Sequence, residues 1–199
     1  MLRSRSAWVR VLQLYTVDDD GPDAIGDHVE DGLLDVRVHA RSRFRSLTDP
    51  SRFAIYSVHN AEGAPGMPMG RGEHTLIAVR EFRRVPLDAS GLALTVFTAQ
   101  PGRAVTVVAA LAAFVERAVG LYQPGYLLLA HSLEDPRHSL LLTAMRDSIL
   151  LGAAAPAAFN LNDVMGELAP MLAASPESYD YCPEPAAEAL TGALSPYAV

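Results

Sequence analysis

Ser46-Leu47-Thr48-Asp49-Pro50 returns 86 residues later as Ser132-Leu133-Glu134-Asp135-Pro136. The flanks correspond as well. An extended run precedes each copy: His39-Ala40-Arg41-Ser42-Arg43-Phe44-Arg45 before the first, Tyr126-Leu127-Leu128-Leu129-Ala130-His131 before the second. An apolar run follows each: Phe53-Ala54-Ile55-Tyr56-Ser57-Val58, then Leu140-Leu141-Leu142-Thr143-Ala144-Met145. Asp-Pro after an extended run is a turn signal, since Asp bonds nearby backbone and Pro presets φ. Two strands joined by a tight turn, present twice, point to one supersecondary unit used twice.

Working outward, Trp8 to Tyr15 is rich in strand formers. Asp18 to Pro22 reads as a loop and helix start, and Ile25, Val29, Leu33 and Leu34 recur at helical spacing. Val36 to Arg45 alternates, with Val36, Val38, Ala40, Ser42 and Phe44 on one face and Arg37, His39, Arg41, Arg43 and Arg45 on the other. Strands follow at Arg52 to His59 and His74 to Val85. Between them Asn60 to Gly72, crowded with Gly and Pro, stands as a loop where a second helix would sit. The second half runs through strand Leu92 to Thr98, helix Ala104 to Val119, strands Tyr126 to His131 and Ser139 to Arg146, a broken helix from Ser148 to Ala174, and a short closing strand near Pro176 to Tyr181. Each half is roughly β-α-β-β-α-β, an α+β unit with one bare sheet face. The expected organisation is residues 1–88 as the first ferredoxin-like repeat, 89–182 as the second, packed sheet to sheet in one chain, and 183–199 as an extension.

Composition narrows the function. Half of the 199 residues are hydrophobic, enough for a sizeable core. The one cysteine, Cys182, rules out an intrachain disulfide framework and a cysteine-based zinc site, and suits a reducing cytoplasm. No signal-peptide apolar region opens the chain, and Ala104 to Val119 carries Glu116 and Arg117 and is short for a membrane span. A cytoplasmic protein without a membrane partner is therefore expected. All basic residues are arginine. The first 84 residues balance in charge, whereas residues 85–199 hold 4 Arg against 11 acidic residues. An acidic, lysine-free chain argues against nucleic acid as partner.

The extended run ending in Ser-Leu-x-Asp-Pro, followed by an apolar strand and a helix, resembles the antibiotic biosynthesis monooxygenase superfamily. The best match runs from Pro124-Gly125-Tyr126 through Asp135-Pro136 to Pro176-Glu177-Ser178-Tyr179. The resemblance implies a dimeric α/β barrel with both halves in one chain. It also implies an oxygenase that tailors an aromatic polyketide by hydroxylation, quinone formation or oxidative ring opening, as in the angucycline ring-opening oxygenases. Such an enzyme takes a polycyclic aromatic substrate and dioxygen, with no cofactor or with reduced flavin (FADH2 or FMNH2). A homodimer of the whole chain is a candidate assembly. Many members carry a Trp at the end of the strand after Asp-Pro. Here the sequence reads Val58-His59-Asn60 and Met145-Arg146-Asp147, so no mechanism through that Trp carries over.

No phosphate-cradling loop, His-Glu-x-x-His or nucleophile elbow is present, and six scattered histidines offer no metal-ligand spacing. His59 and Asn60 end a strand beside a glycine-rich segment, a common address for a ligand pocket. Histidine suits removal of a phenolic proton, and Asn60 could donate to the developing oxyanion. Tyr56 shares a face with Asn60 and could meet an aromatic ring; its competing role is a core tyrosine. Arg146, at the 86-residue offset from Asn60, could bind a phenolate or carboxylate. His74 and His131, at strand ends, are further substrate-binding candidates. In the basic row, Arg41 and Arg43 could receive a flavin phosphate, against a solvated strand face as the competing role. A non-catalytic ligand-binding or cyclase-helper module on the same fold is the alternative function.

Overall fold

The computed structural model describes residues 8–16, 38–49, 51–60, 73–84, 91–144 and 161–183. Eight strands close into one antiparallel barrel: β1 (Trp8–Thr16), β2 (Val38–Ser46), β3 (Arg52–Asn60), β4 (Glu73–Arg83), β5 (Leu92–Thr98), β6 (Tyr126–Ser132), β7 (His138–Ala144) and β8 (Glu177–Pro183). Helix α1 (Ala104–Tyr122), helix α2 (Leu161–Leu168) and a 3-10 turn (Ala169–Met171) follow β5 and β7 in the second half. The expected helix around Ile25 to Leu34 and the segment Asn60 to Gly72 lie, Asn60 apart, outside the described residues.

Around the barrel the order is β1-β3-β2-β8-β5-β7-β6-β4. The first four strands thus follow the sequence β4-β1-β3-β2, and the last four repeat it as β8-β5-β7-β6. The two sets join along their edges. At one seam Leu76 to Arg83 of β4 pairs with Tyr126 to Ser132 of β6. At the other, among the described residues, Phe44 to Ser46 of β2 pairs with Tyr181 to Pro183 of β8. Pro183 brings no N–H to that ladder. Closure matters because a free sheet edge exposes unpaired N–H and C=O groups, and a closed barrel has none.

Each Ser-Leu-x-Asp-Pro turn clips a seam. The Leu47 amide donates to the Asp180 carbonyl of β8 (2.9 Å), and the Leu133 amide donates to the Thr75 carbonyl of β4 (3.0 Å). Within each turn, Asp binds the amide two residues on: Asp49 Oδ1 accepts from Ser51 and Asp135 Oδ1 from Arg137, both at 3.0 Å. The Arg52 amide reaches the Asp49 carbonyl and the His138 amide the Asp135 carbonyl, closing both turns alike. The variable position differs in use. Glu134 accepts from Ser132 Oγ at 2.7 Å and from the Thr75 amide at 2.8 Å, tying the turn to β4 a second time. Thr48 only approaches Ser46 Oγ, at 3.3 Å.

Strands β6 and β7 are apolar along almost their whole length because both faces are buried. One face, with Tyr126, Leu128, Ala130, Leu140, Leu142 and Ala144, lines the barrel interior beside Leu12, Phe44, Ala54 and Tyr56. The other, with Leu127, Leu129 and Leu141, meets α1 and α2. Val107, Leu111, Phe114, Val115 and Ala118 recur at helical spacing and supply the inner stripe of α1. The helix extends three residues past the expected Val119. By length and composition alone it could cross a membrane, with mean hydropathy 1.8 over Ala104–Leu121.

The unequal seams set an order of opening. Amides at the short β2–β8 seam should exchange with solvent faster than those of β4–β6, read by hydrogen exchange resolved to residues 42–47 and 126–132. The reverse order would contradict this ranking. The Arg137 guanidinium, hydrogen-bonded to Asp135, holds that carboxyl well below the usual carboxylate range. A depressed folded-state pKa contributes stability above the unfolded value of about 3.9, and that contribution fades as pH falls below it. Asp135→Asn should therefore lose at most about 1 kcal/mol at neutral pH, the range of accessible ion pairs, and the loss should shrink on acidification below about pH 4, by denaturant titration at several pH values.

Candidate active site inside the barrel

Four strands contribute a polar cluster to an otherwise apolar interior. β3 projects Tyr56 inward, between Ala54 and Val58 on the same face. β6 projects Tyr126 as the first inward residue of its run. The rings meet edge to face, with centroids 6.5 Å apart at 74°, and the Tyr126 hydroxyl donates to the Tyr56 oxygen at 3.0 Å. From β1, Arg10 shares the inward face of Leu12 and Leu14 and forms an ion pair with Glu81 of β4. Arg10 also stands within hydrogen-bonding reach of the Tyr56 oxygen.

Glu81 reaches this side through a bulge. Leu76 and Ala78 of β4 pack against the interior, whereas Val79 and Phe82 pack against the helix layer. The register shift between Ala78 and Arg80 reverses the alternation and leaves Glu81 on the inner side. The cluster lies toward the end of the barrel where Asn60 pairs with Trp8 and Arg83 with Tyr126. The two Ser-Leu-x-Asp-Pro turns cap the opposite end.

Burial pushes the ionisation of both Tyr56 and Tyr126 above that of a free phenol. For Tyr126 the neighbouring Tyr56 adds to the effect; for Tyr56 the bond from Tyr126 and the charge of Arg10 partly offset it. At neutral pH both are neutral hydroxyls, able to donate to an oxygen that gains negative charge and unsuited to act as bases. Val58 and Ala78 face the interior yet are only half-buried, so the lining near the cluster is reachable by solvent.

The predicted site residues separate in space. Tyr56 is central to the cluster. His59 ends β3 paired with Val9 and Val38, and Asn60 pairs with Trp8; their side chains lie outside the described residues. The same holds for the side chain of His74, whose backbone pairs with Leu12, and of Arg41, paired with Ser57. Arg146 lies wholly outside them. His131 alternates with Ala130 and Ser132, so it falls on the outer face of β6. Arg43 is on the outer face of β2, its guanidinium 5.4 Å above the Phe53 ring, with Arg45 at 5.1 Å. Arg43 thus points away from Tyr56 and does not fit the holding of a flavin phosphate for a ring inside the barrel. In the second half, Phe97, Leu129 and Leu141 fill the layer between sheet and α1.

Arg10, Glu81 and Tyr126 were not singled out from sequence. Arg10 did carry a signal: a lone charge in register with Leu12 and Leu14 on an apolar strand. Glu81 carried none, because the bulge hides its face.

No family model matches the chain. No curated protein matches it either. Solved structures do match, at identities that establish the fold alone. A candidate monooxygenase of Fusobacterium nucleatum superposes with TM-score 0.65 at 10% identity, covering 90% of this chain and 93% of its own. A major regulator of staphylococcal pathogenesis gives 0.61 at 9% identity, over 89% and 100% of the two chains. An anthrone oxidase-like protein gives 0.59 at 12% identity, over 89% and 91%.

The buried phenols generate a measurable expectation. A raised folded-state pKa contributes stability that is complete below the unfolded value of about 10 and is lost as pH rises through the folded one. Tyr181, pushed up to about 12 chiefly by burial, should join Tyr56 and Tyr126 in resisting ionisation while exposed tyrosines titrate. Phenolate absorbance followed with pH should show this late class, and Tyr126→Phe should shrink it at a cost of about 1 kcal/mol. A single step near pH 10 in the folded protein would refute the burial of the pair.

Proposed function

We propose that this protein is an oxygenase that tailors an aromatic polyketide, working as two ferredoxin-like copies in one chain. The observation that carries the reading is the Arg10, Tyr56, Glu81 and Tyr126 cluster set in an apolar interior: it suits a flat aromatic ligand with an enolisable or phenolic oxygen. Likeness in fold to a candidate monooxygenase and to an anthrone oxidase-like protein supports the class. In the cofactor-free version His59 takes the proton of the phenol or its keto tautomer, and Asn60 and Tyr56 stabilise the oxygen that gains charge. The carbanion passes one electron to dioxygen, the radical pair joins as a peroxide, and loss of water leaves a quinone. The outward position of Arg43 favours this version over a flavin held by the arginine row. We place the protein in the cytoplasm, with Arg146 and His74 as candidate contacts for the distal part of the substrate; the outer-face position of His131 does not suit that role.

The test is oxygen uptake with an anthrone as substrate, with and without reduced flavin. Uptake without flavin is expected, with His59→Ala slowing it about 10²-fold or more. No uptake under either condition would end the oxygenase reading. The likeness in fold to a staphylococcal regulator favours the second reading, a non-catalytic ligand-binding module. In that case the anthrone binds, no oxygen is consumed, and His59→Ala and Asn60→Ala leave turnover nothing to lose.

A further inference from the structure

One buried donor in the cluster has no partner among the described residues. The Arg10 Nε–H is buried and unpartnered, while a terminal guanidinium nitrogen of the same side chain is taken by Glu81. The Tyr56 oxygen receives the Tyr126 hydroxyl proton, which leaves the Tyr56 proton to be donated onward. A buried donor left unsatisfied costs about 1–3 kcal/mol, so native interiors rarely keep one without a reason. Here that donor lies beside the Tyr56 hydroxyl, on the adjacent strands β1 and β3, facing one interior.

We infer that Arg10 Nε–H and the Tyr56 hydroxyl together hold one oxygen of an aromatic ligand, and that they favour its anionic form. This rests on the reading of the barrel interior as the ligand site, and it assigns the atoms that read the ligand. The supporting parts have separate tasks. Glu81 fixes the guanidinium in place, and Tyr126 orients the Tyr56 hydroxyl by occupying its oxygen. Glu81 also neutralises much of the Arg10 charge. The site therefore suits a phenolate or enolate oxygen. Flat apolar rings would lie along Ala54, Ala78 and Ala130, the small inward residues of β3, β4 and β6.

The experiment uses alizarin, a hydroxylated anthraquinone whose visible spectrum reports ionisation, bound to the whole protein with oxygen excluded. Bound alizarin should ionise about tenfold more readily than free dye, a shift of about one pKa unit. Arg10→Gln should abolish the shift and Tyr56→Phe should reduce it. Should Arg10→Gln unfold by circular dichroism because Glu81 is stranded, the double variant Arg10→Gln/Glu81→Gln and the variant Arg10→Lys, which keeps charge but lacks Nε–H, take its place with the same expectation. The inference is overturned if the native protein binds no dye, if the dye binds without a shift, or if the shift survives in the Arg10 variants. Because turnover is not measured, the two readings fail separately. A shift without oxygen uptake from an anthrone removes the oxygenase and keeps this site; uptake with no dependence on Arg10 does the opposite.

Discussion

Edge pairing between the halves is the constraint on which the rest of the molecule depends. Neither set of four strands is complete alone, since each would end in two rows of unpaired backbone groups. Pairing β4 with β6 and β2 with β8 joins all four edges and creates an enclosed interior. The two seams are not equal. The β4–β6 seam is long and doubly tied through Glu134, whereas the β2–β8 seam spans three pairs among the described residues. The barrel is thus a near-symmetric frame with one firm closure and one light one.

That frame separates two kinds of core. Outside the second-half strands, the layer under α1 is filled with leucine, valine and phenylalanine. Inside the barrel the lining is also largely apolar, but one end carries a cation, a carboxylate and two phenols. Tyr56 and Tyr126 lose water there and partner each other, whereas the Arg10–Glu81 pair keeps some contact with solvent. Arg10 Nε is buried without a partner among the described residues. The unlike behaviour of the two halves follows from composition. Arg10, Tyr56 and Glu81 come from the first half, and the second supplies Tyr126 together with most of the apolar filling.

Much of the fold was legible in the chain. The doubled turn located two hairpins, and strand-forming runs marked β1 to β8 within a few residues, since alternation and apolar runs report burial directly. The site was legible only in part. Tyr56 was found because strand alternation aligned it with Asn60. Alternation put Arg43 on the face opposite Phe44, as the structure has it, but which of the two faces would enclose a ligand is not visible in sequence. Glu81 escaped notice because a single bulge reverses the faces beyond it. The Arg10–Glu81 and Tyr56–Tyr126 pairs bridge separations of 71 and 70 residues, beyond the reach of any local pattern.

By itself, the sequence determined the strands, the turns that join them, and the doubling of one pattern, because these depend on interactions between near neighbours: Asx bonding in a turn, proline geometry, and alternation across a pleat. Only the tertiary structure decided which faces became inside. Closing the edges converts the bare face of each half into the wall of one interior, and a bulge in β4 then turns Glu81 to the same side as Arg10 on the neighbouring β1. Enclosure is a property of the whole ring of strands, so the place where polar groups lose water, and with it the candidate site, exists only once the ring is shut.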